Sequence, residues 1–119
     1  VLSQSDPQSI FNERLLSVLG MARKAREIFI GQDQVRDTLR KKKSLLVITA
    51  EDISLNLDGA LSRYVENGQC QRLRLVGVTR ERLGNAVGIR STLIVALSLN
   101  SGFARSILSF YDGGSDANE

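Results

Sequence analysis

Two apolar runs constrain this chain most: Leu45–Ala50, reading LLVITA, and Leu93–Leu97, reading LIVAL. Each is bounded by polar residues, the pattern of a strand buried on both faces. Such strands need helices on both sides, and the rest of the chain offers them. Asp6-Pro7 is a helix start, with Asp6 as N-cap and Pro7 at the first helical position. Phe11, Leu15, Val18 and Ala22 then recur at helical spacing, which predicts a helix to about Lys24. Ile28–Ile30 is a short strand candidate ended by Gly31, and a second helix carries Val35 and Leu39 one turn apart. Ser54 caps a third helix through Leu57, Leu61 and Tyr64, with Gly68 as its stop. Arg72–Val76 alternates polar and apolar residues and is predicted to be a strand. Thr79 caps a short helix, Arg80–Val87, ended by Gly88. Thr92–Ser98 is the last strand, and Asn100 or Ser101 caps a final helix through Phe103, Ile107 and Phe110. One helix followed by four strand–helix units predicts an α/β fold. It is a three-layer α-β-α sandwich around one four-stranded mixed sheet, with the two apolar runs central.

At 119 residues the chain has the size of one domain, with 42% apolar residues to fill its core, so it needs neither disulfides nor a structural metal. Residues 1–111 are expected to form that single domain. The tail 112–119, with two glycines, a serine and acids, is expected to be disordered. The one cysteine, Cys70, excludes an intrachain disulfide and is expected to act as a small apolar residue. Histidine is absent, which removes the commonest neutral-pH acid–base group and metal ligand. The apolar runs are far too short to span a bilayer, and no signal peptide is visible, so a cytoplasmic protein without a membrane partner is expected.

Net charge is only +3, but it is unevenly placed. Nine basic residues lie between Arg14 and Lys43, and five more against one acid between Arg72 and Arg90. The stretch between them, Ser44 to Gln71, has one basic and four acidic residues. Two basic zones folded onto one face would make a site for a polyanion; the bland alternative is a set of solvated helix faces.

Little supports catalysis. There are no paired cysteines or histidines for zinc, no nucleophile elbow and no Walker-type phosphate loop. Glu51 and Asp52 follow a buried strand, where α/β enzymes often keep catalytic groups, but without a histidine, lysine or metal partner in view they fit better as a turn into the third helix. The chain is therefore expected to be no enzyme and to need no cofactor or metal.

Three segments carry a different chemistry. In Gly31-Gln32-Asp33-Gln34-Val35-Arg36-Asp37, glycine opens a helix whose free N–H groups suit phosphate, and Gln34 offers the donor and acceptor of a base-reading amide. An ordinary turn and cap would explain Gly31 and Asp33 equally well. The second segment is Ala50-Glu51-Asp52. In the third, Leu83-Gly84-Asn85-Ala86-Val87-Gly88 with Ile89 and Arg90, two glycines bracket a one-turn helix and a sharp exit into the last strand.

Together with Leu19-Gly20-Met21-Ala22-Arg23-Lys24-Ala25, these segments resemble the L7Ae/L30e ribosomal protein family, a superfamily of kink-turn RNA binders, over about Leu15–Leu108. The N-terminal phrase is most similar to the family's small bacterial branch. The resemblance implies the same sandwich, structured RNA (ribosomal RNA among the choices) as partner, and an RNA site built from the three segments at one end. In the family the second-helix motif is Gly-x-Asn-Glu-x-x-Lys. Gly31 matches its glycine, Gln34 stands where Glu is usual, Asp33 replaces Asn, and Asp37 replaces Lys. Arg80 falls where a basic residue meets phosphate, and Ile89, Arg90 and Ser91 fall in the loop that packs on an extruded nucleotide. The site implied is Gly31, Gln32, Asp33, Gln34, Arg36, Asp37, Glu51, Arg80, Gly88, Ile89, Arg90 and Ser91. Asp33 and Asp37 imply weaker affinity than in typical members or a different bent RNA, with Arg36, Arg40 and Lys41–Lys43 as compensating cations. Some members of that branch are fused to another nucleic-acid-binding domain, which suits a chain that begins at Val1.

The sequence thus points to a non-catalytic RNA-binding module associated with the ribosome or with transcription and translation. The alternatives are a protein-interaction adaptor on the same fold, which the two acids favour, and the RNA-recognition domain of a larger RNA-modifying enzyme.

Overall fold

The computed structural model describes residues 6–116. Helix α1 spans Pro7–Lys24, strand β1 Phe29–Ile30, α2 Gln32–Arg40, β2 Leu45–Thr49 and α3 Leu55–Glu66. Then follow β3 Cys70–Arg74, α4 Arg80–Ala86, β4 Ile94–Ser98 and α5 Gly102–Asp116. The strands form one mixed sheet in the order β1-β4-β2-β3, so the two apolar runs supply its central strands. Strand β4 runs antiparallel to both β1 and β2, and β3 runs parallel to β2.

Alternation along β2 divides the core. Leu46 and Ile48 face a cluster with Val95 and Leu97 of β4 and with Leu15 and Leu19 of α1, Leu83 of α4 and Ile107 of α5. Leu45 and Val47 face the other cluster, with Ile94, Ala96 and Cys70, closed by Val35 and Leu39 of α2 and Leu57 and Leu61 of α3. Helices α1, α4 and α5 therefore cover one face and α2 and α3 the other, giving the three layers.

The cap residues behave as their types demand. Asp6 Oδ1 accepts from the Gln8 N–H, Ser54 Oγ from Leu57, Thr79 Oγ1 from Arg82 and Ser101 Oγ from Ala104. Ser101, not Asn100, thus caps α5. That helix continues to Asp116, beyond the expected start of the tail at Asp112; the last three tail positions, 117–119, lie outside the described residues.

Strands β1 and β2 are each one residue shorter than expected, starting at Phe29 and ending at Thr49, and β3 and β4 differ from the sequence pattern by more. β3 starts at Cys70 and stops at Arg74, two residues earlier at each end than expected, because its register follows β2 from Leu45↔Cys70 to Thr49↔Arg74. Beyond it Val76 is exposed, and Gly77, at φ +82°, turns the chain away. β4 starts at Ile94 because Thr92 Oγ1 donates to the Ile94 carbonyl at 2.8 Å and accepts from its N–H at 3.3 Å, a local turn that delays pairing.

The chain reverses after α1, α2 and α3 by one device. Each helix ends in a Schellman turn, with a left-handed residue just past the cap: Arg26 at φ +61°, Lys42 at φ +65° and Gly68 at φ +80°. After α3 that residue is glycine, as the backbone prefers; after α1 and α2 it is a cation.

Candidate nucleic-acid interface

One end of the sheet gathers the segments that sequence reasoning singled out. Here lie the exits of β1, β2 and β3 and the entrance of β4. Gly31, at φ +90° and ψ +155°, occupies a backbone region essentially closed to side-chain-bearing residues. Its N–H donates to the Ile94 carbonyl at 3.0 Å, and its carbonyl accepts from the Val35 N–H at 3.1 Å. The first turn of α2 is thereby tied to the start of β4. No side chain caps that turn, and Gln32, Asp33 and Gln34 are exposed on it.

The Gln34 amide is half committed. Its Oε1 accepts from the Ile30 N–H at 2.8 Å, so its NH2 group is the part presented outward. The sequence expectation of a freely usable donor and acceptor is corrected to this extent. Asp37 lies one turn beyond Asp33 and pairs with Lys41 at 3.3 Å, both side chains being well exposed.

The β2–α3 loop braces the start of α4. Glu51 Oε1 accepts from the Gly77 N–H at 2.7 Å. Asp52 takes both the backbone N–H of Arg80, at 3.0 Å, and its Nε, at 2.9 Å. The side-chain hydrogen bond from Arg80 holds the Asp52 carboxyl below its ordinary range against an opposing desolvation, and the same contact raises the Arg80 guanidinium. Glu51 and Asp52 thus act as struts, and Arg80 is fixed in place by a charge-assisted pair. Arg80 also accepts from the Thr92 N–H at 3.0 Å through its carbonyl, which docks the α4–β4 loop. Gly84 makes that docking possible: a Cβ there would fall under 3.0 Å from three backbone atoms of Ser91. Gly88, at φ +82°, turns the chain into the loop, where Arg90 and Ser91 are exposed and Ile89 half-buried.

Two clefts flank the start of α2. One, of about 250 Å³, is lined by Gly31, Gln32, Leu57, Arg80, Ser91 and Leu93. The other, of about 540 Å³, is lined by Gln34, Ile89, Ile28, Ile30, Arg23 and Arg26. Gly31, Gln32, Gln34, Arg80, Ile89 and Ser91 therefore come together. Arg36 and Asp37 lie further along α2 and line neither cleft, and Glu51 turns its carboxylate to Gly77. Sequence reasoning missed Arg23, Arg26, Leu57 and Leu93 as wall residues. The two arginines three apart at the end of α1 were the available signal.

The lysine run is displaced from this end. Lys41–Lys43 stand at the entrance of β2, beside Ser98 and Asn100 at the exit of β4. They therefore lie at the opposite end of the sheet from Arg80, although Lys41 reaches back to Asp37 and offsets its charge in their ion pair. Helix α2 is nine residues long and carries its two ends to opposite ends of the sheet. Among the described residues, no group of three or more His, Cys, Asp or Glu side chains is placed to hold a metal ion.

The order of these segments is that of a known family, whose model, the ribosomal protein L7Ae/L30e/S12e/Gadd45 family, matches residues 13–108. The chain belongs to that family. It is 28% identical over 96 residues to the RNA-binding protein YlxQ of Bacillus subtilis, covering 80% of this chain and 92% of that protein. A structure of a protein of unknown function from Bacillus halodurans superposes with a TM-score of 0.71 at 28% identity, covering 82% of this chain and 96% of that one. The 15.5 kD RNA binding protein of Giardia lamblia has the same fold, with a TM-score of 0.71 at 18% identity, covering 94% of this chain and 98% of that one.

Proposed function

We propose that this L7Ae/L30e-family chain is a non-catalytic module that binds bent or kink-turn-like structured RNA, in the cytoplasm and within the transcription–translation apparatus. One observation carries the reading. The glycine-led start of α2, the braced Arg80 and the Ile89–Ser91 loop meet at one end of the sheet, with donors, cations and apolar walls side by side. Such a surface suits RNA whose strand leaves the regular helix: backbone contacts from arginines, an unpaired base against an apolar wall, and one amide for a base edge. The name of the Bacillus subtilis relative supports RNA as the ligand class. The family model spans residues 13–108, most of the chain, which supports one RNA-binding domain, free-standing or fused to another.

Filter-binding titration of a kink-turn RNA and of a plain RNA duplex, each at two salt concentrations, tests this reading. Preference for the kinked RNA is expected. The logarithm of affinity should fall with that of salt by roughly two to three units, one for each phosphate neutralised by Arg36, Arg80 and Arg90. Equal affinity for both RNAs, or none for either, would overturn it. The adaptor reading draws on Asp33 and Asp37, exposed carboxylates on the face that would meet RNA, and gains if neither RNA binds.

A further inference from the structure

Arg26 holds a left-handed backbone, at φ +61°, where α3 uses Gly68 for the same Schellman turn. A residue with a Cβ is strained there, and such strain tends to persist where a side chain has a task. Arg26 and Arg23 form one wall of the cleft whose other walls are Ile28, Ile30, Ile89 and the Gln34 amide. Among the described residues neither arginine has a carboxylate within ion-pair distance, unlike Arg72, Arg74, Arg80 and Arg82. Both arginines are exposed and line the same cleft as the Gln34 amide.

We propose that Arg23 and Arg26 form a second phosphate-holding edge of the RNA interface, gripping the strand that runs past Gln34 on the side of α2 away from Arg80. The proposal rests on the RNA-binding reading above and extends it to residues outside the three family segments. Phosphate grips at Arg80 on one side of α2 and at Arg23 and Arg26 on the other would straddle the helix start with backbone contacts. A strand that bends around α2 can meet both sides; a straight duplex presents no such bend. Helix-end cations also favour the macrodipole of α1. Lys42 does the same for α2, in the same left-handed turn but at the far end of the sheet, and so serves as an internal control.

The test uses the full chain and a kink-turn RNA, with thermal melts run in parallel. Arg26→Gly should raise the melting midpoint by relieving the backbone, yet weaken the RNA by roughly three- to tenfold and flatten the salt slope by about one unit. Arg23→Gln should weaken binding similarly, and Arg26→Lys should keep most of the affinity and the slope. Lys42→Gly should raise the midpoint and leave RNA binding as it was. Parent-like binding by Arg26→Gly and Arg23→Gln would overturn this proposal while leaving the RNA-binding reading intact. Equal losses from Lys42→Gly and Arg26→Gly would also overturn it, since net charge and not position would then govern. If the unaltered chain binds no RNA, the underlying reading fails and takes this one with it.

Discussion

The backbone N–H of Ile30 donates to the side-chain Oε1 of Gln34 across the turn at Gly31, at 2.8 Å. One amide therefore serves two purposes: it closes the turn between β1 and α2 with its oxygen and offers its nitrogen outward. Gln34→Ala should accordingly show two separable losses. Stability should fall by about 0.5–1.5 kcal/mol, the net value of one hydrogen bond, in chemical denaturation. Affinity for a kinked RNA should fall by a further 1–3 kcal/mol, roughly the worth of a base contact, with little change for a plain duplex. Equal losses for both RNAs would show that Gln34 supports the turn and reads no base.

Asp37 gives the opposite direction. Its ion pair with Lys41 joins two exposed side chains four apart and is worth only about 0.3–0.5 kcal/mol. Asp37→Lys should therefore cost the fold little. If this face of α2 meets phosphate, the change removes a repulsion and adds an attraction, tightening RNA by about 1 kcal/mol and steepening the salt slope by about one unit. Unaltered or weaker binding with the fold intact would move weight to the adaptor reading.

Gly84→Ala tests whether the α4–β4 loop must lie as close as it does. The added Cβ would meet Ser91 backbone, which cannot swing aside as a side chain can. Overpacking of this kind costs about 1–3 kcal/mol. Because the displaced loop includes Ile89 and Ser91, RNA affinity should fall as well. A melting midpoint equal to that of the parent would mean that the loop yields freely.

Acid should act through Asp58. The guanidinium of Arg72 lowers its pKa first, and that of Arg74, at 2.6 Å, adds to the effect against a smaller desolvation. A carboxylate with a folded pKa below its unfolded value contributes stability that is complete above the unfolded value. That contribution disappears as pH falls through the folded one. The loss should thus begin near 3.8, the ordinary aspartate value, and continue below it. Asp58→Asn should lower stability at pH 7, leaving the mostly buried Arg72 without its counter-charge, and should flatten the pH dependence below 4. Thermal melts from pH 7 to pH 2 would check this; parallel curves for parent and variant would refute it.

The sheet was legible because Leu45–Ala50 and Leu93–Leu97 are apolar without alternation, and only a strand with both faces covered needs that. Ile48, fully buried on the central strand β2, is the plainest instance. Edge strand β3 was less legible, since Val76 is apolar yet exposed, and register against β2, which no single segment encodes, sets its ends. The candidate site was legible as segments and not as an assembly. Arg80 and Gly31 announced themselves by their motifs. The brace from Asp52 did not, nor did the arrival of Arg23 and Arg26 beside Gln34, because both depend on how loops distant in sequence pack. The place of the lysine run was hidden for the same reason: Lys41–Lys43 follow α2 at the end of the sheet away from Arg80, where Lys41 pairs with Asp37.

Strand β4 is made late in synthesis, yet it lies between β1 and β2. Until it exists, Gly31 has no Ile94 carbonyl to bond, Arg80 has no Thr92 to hold, and β1 has no neighbour. The start of α2 and the start of α4 are then two unconnected pieces of a growing polypeptide. Contacts across so many residues form slowly, because loop closure must be paid for before they form. The candidate interface is thus assembled by completion: a nascent chain halted anywhere before Ser98 would carry the basic residues but not the surface that brings them together.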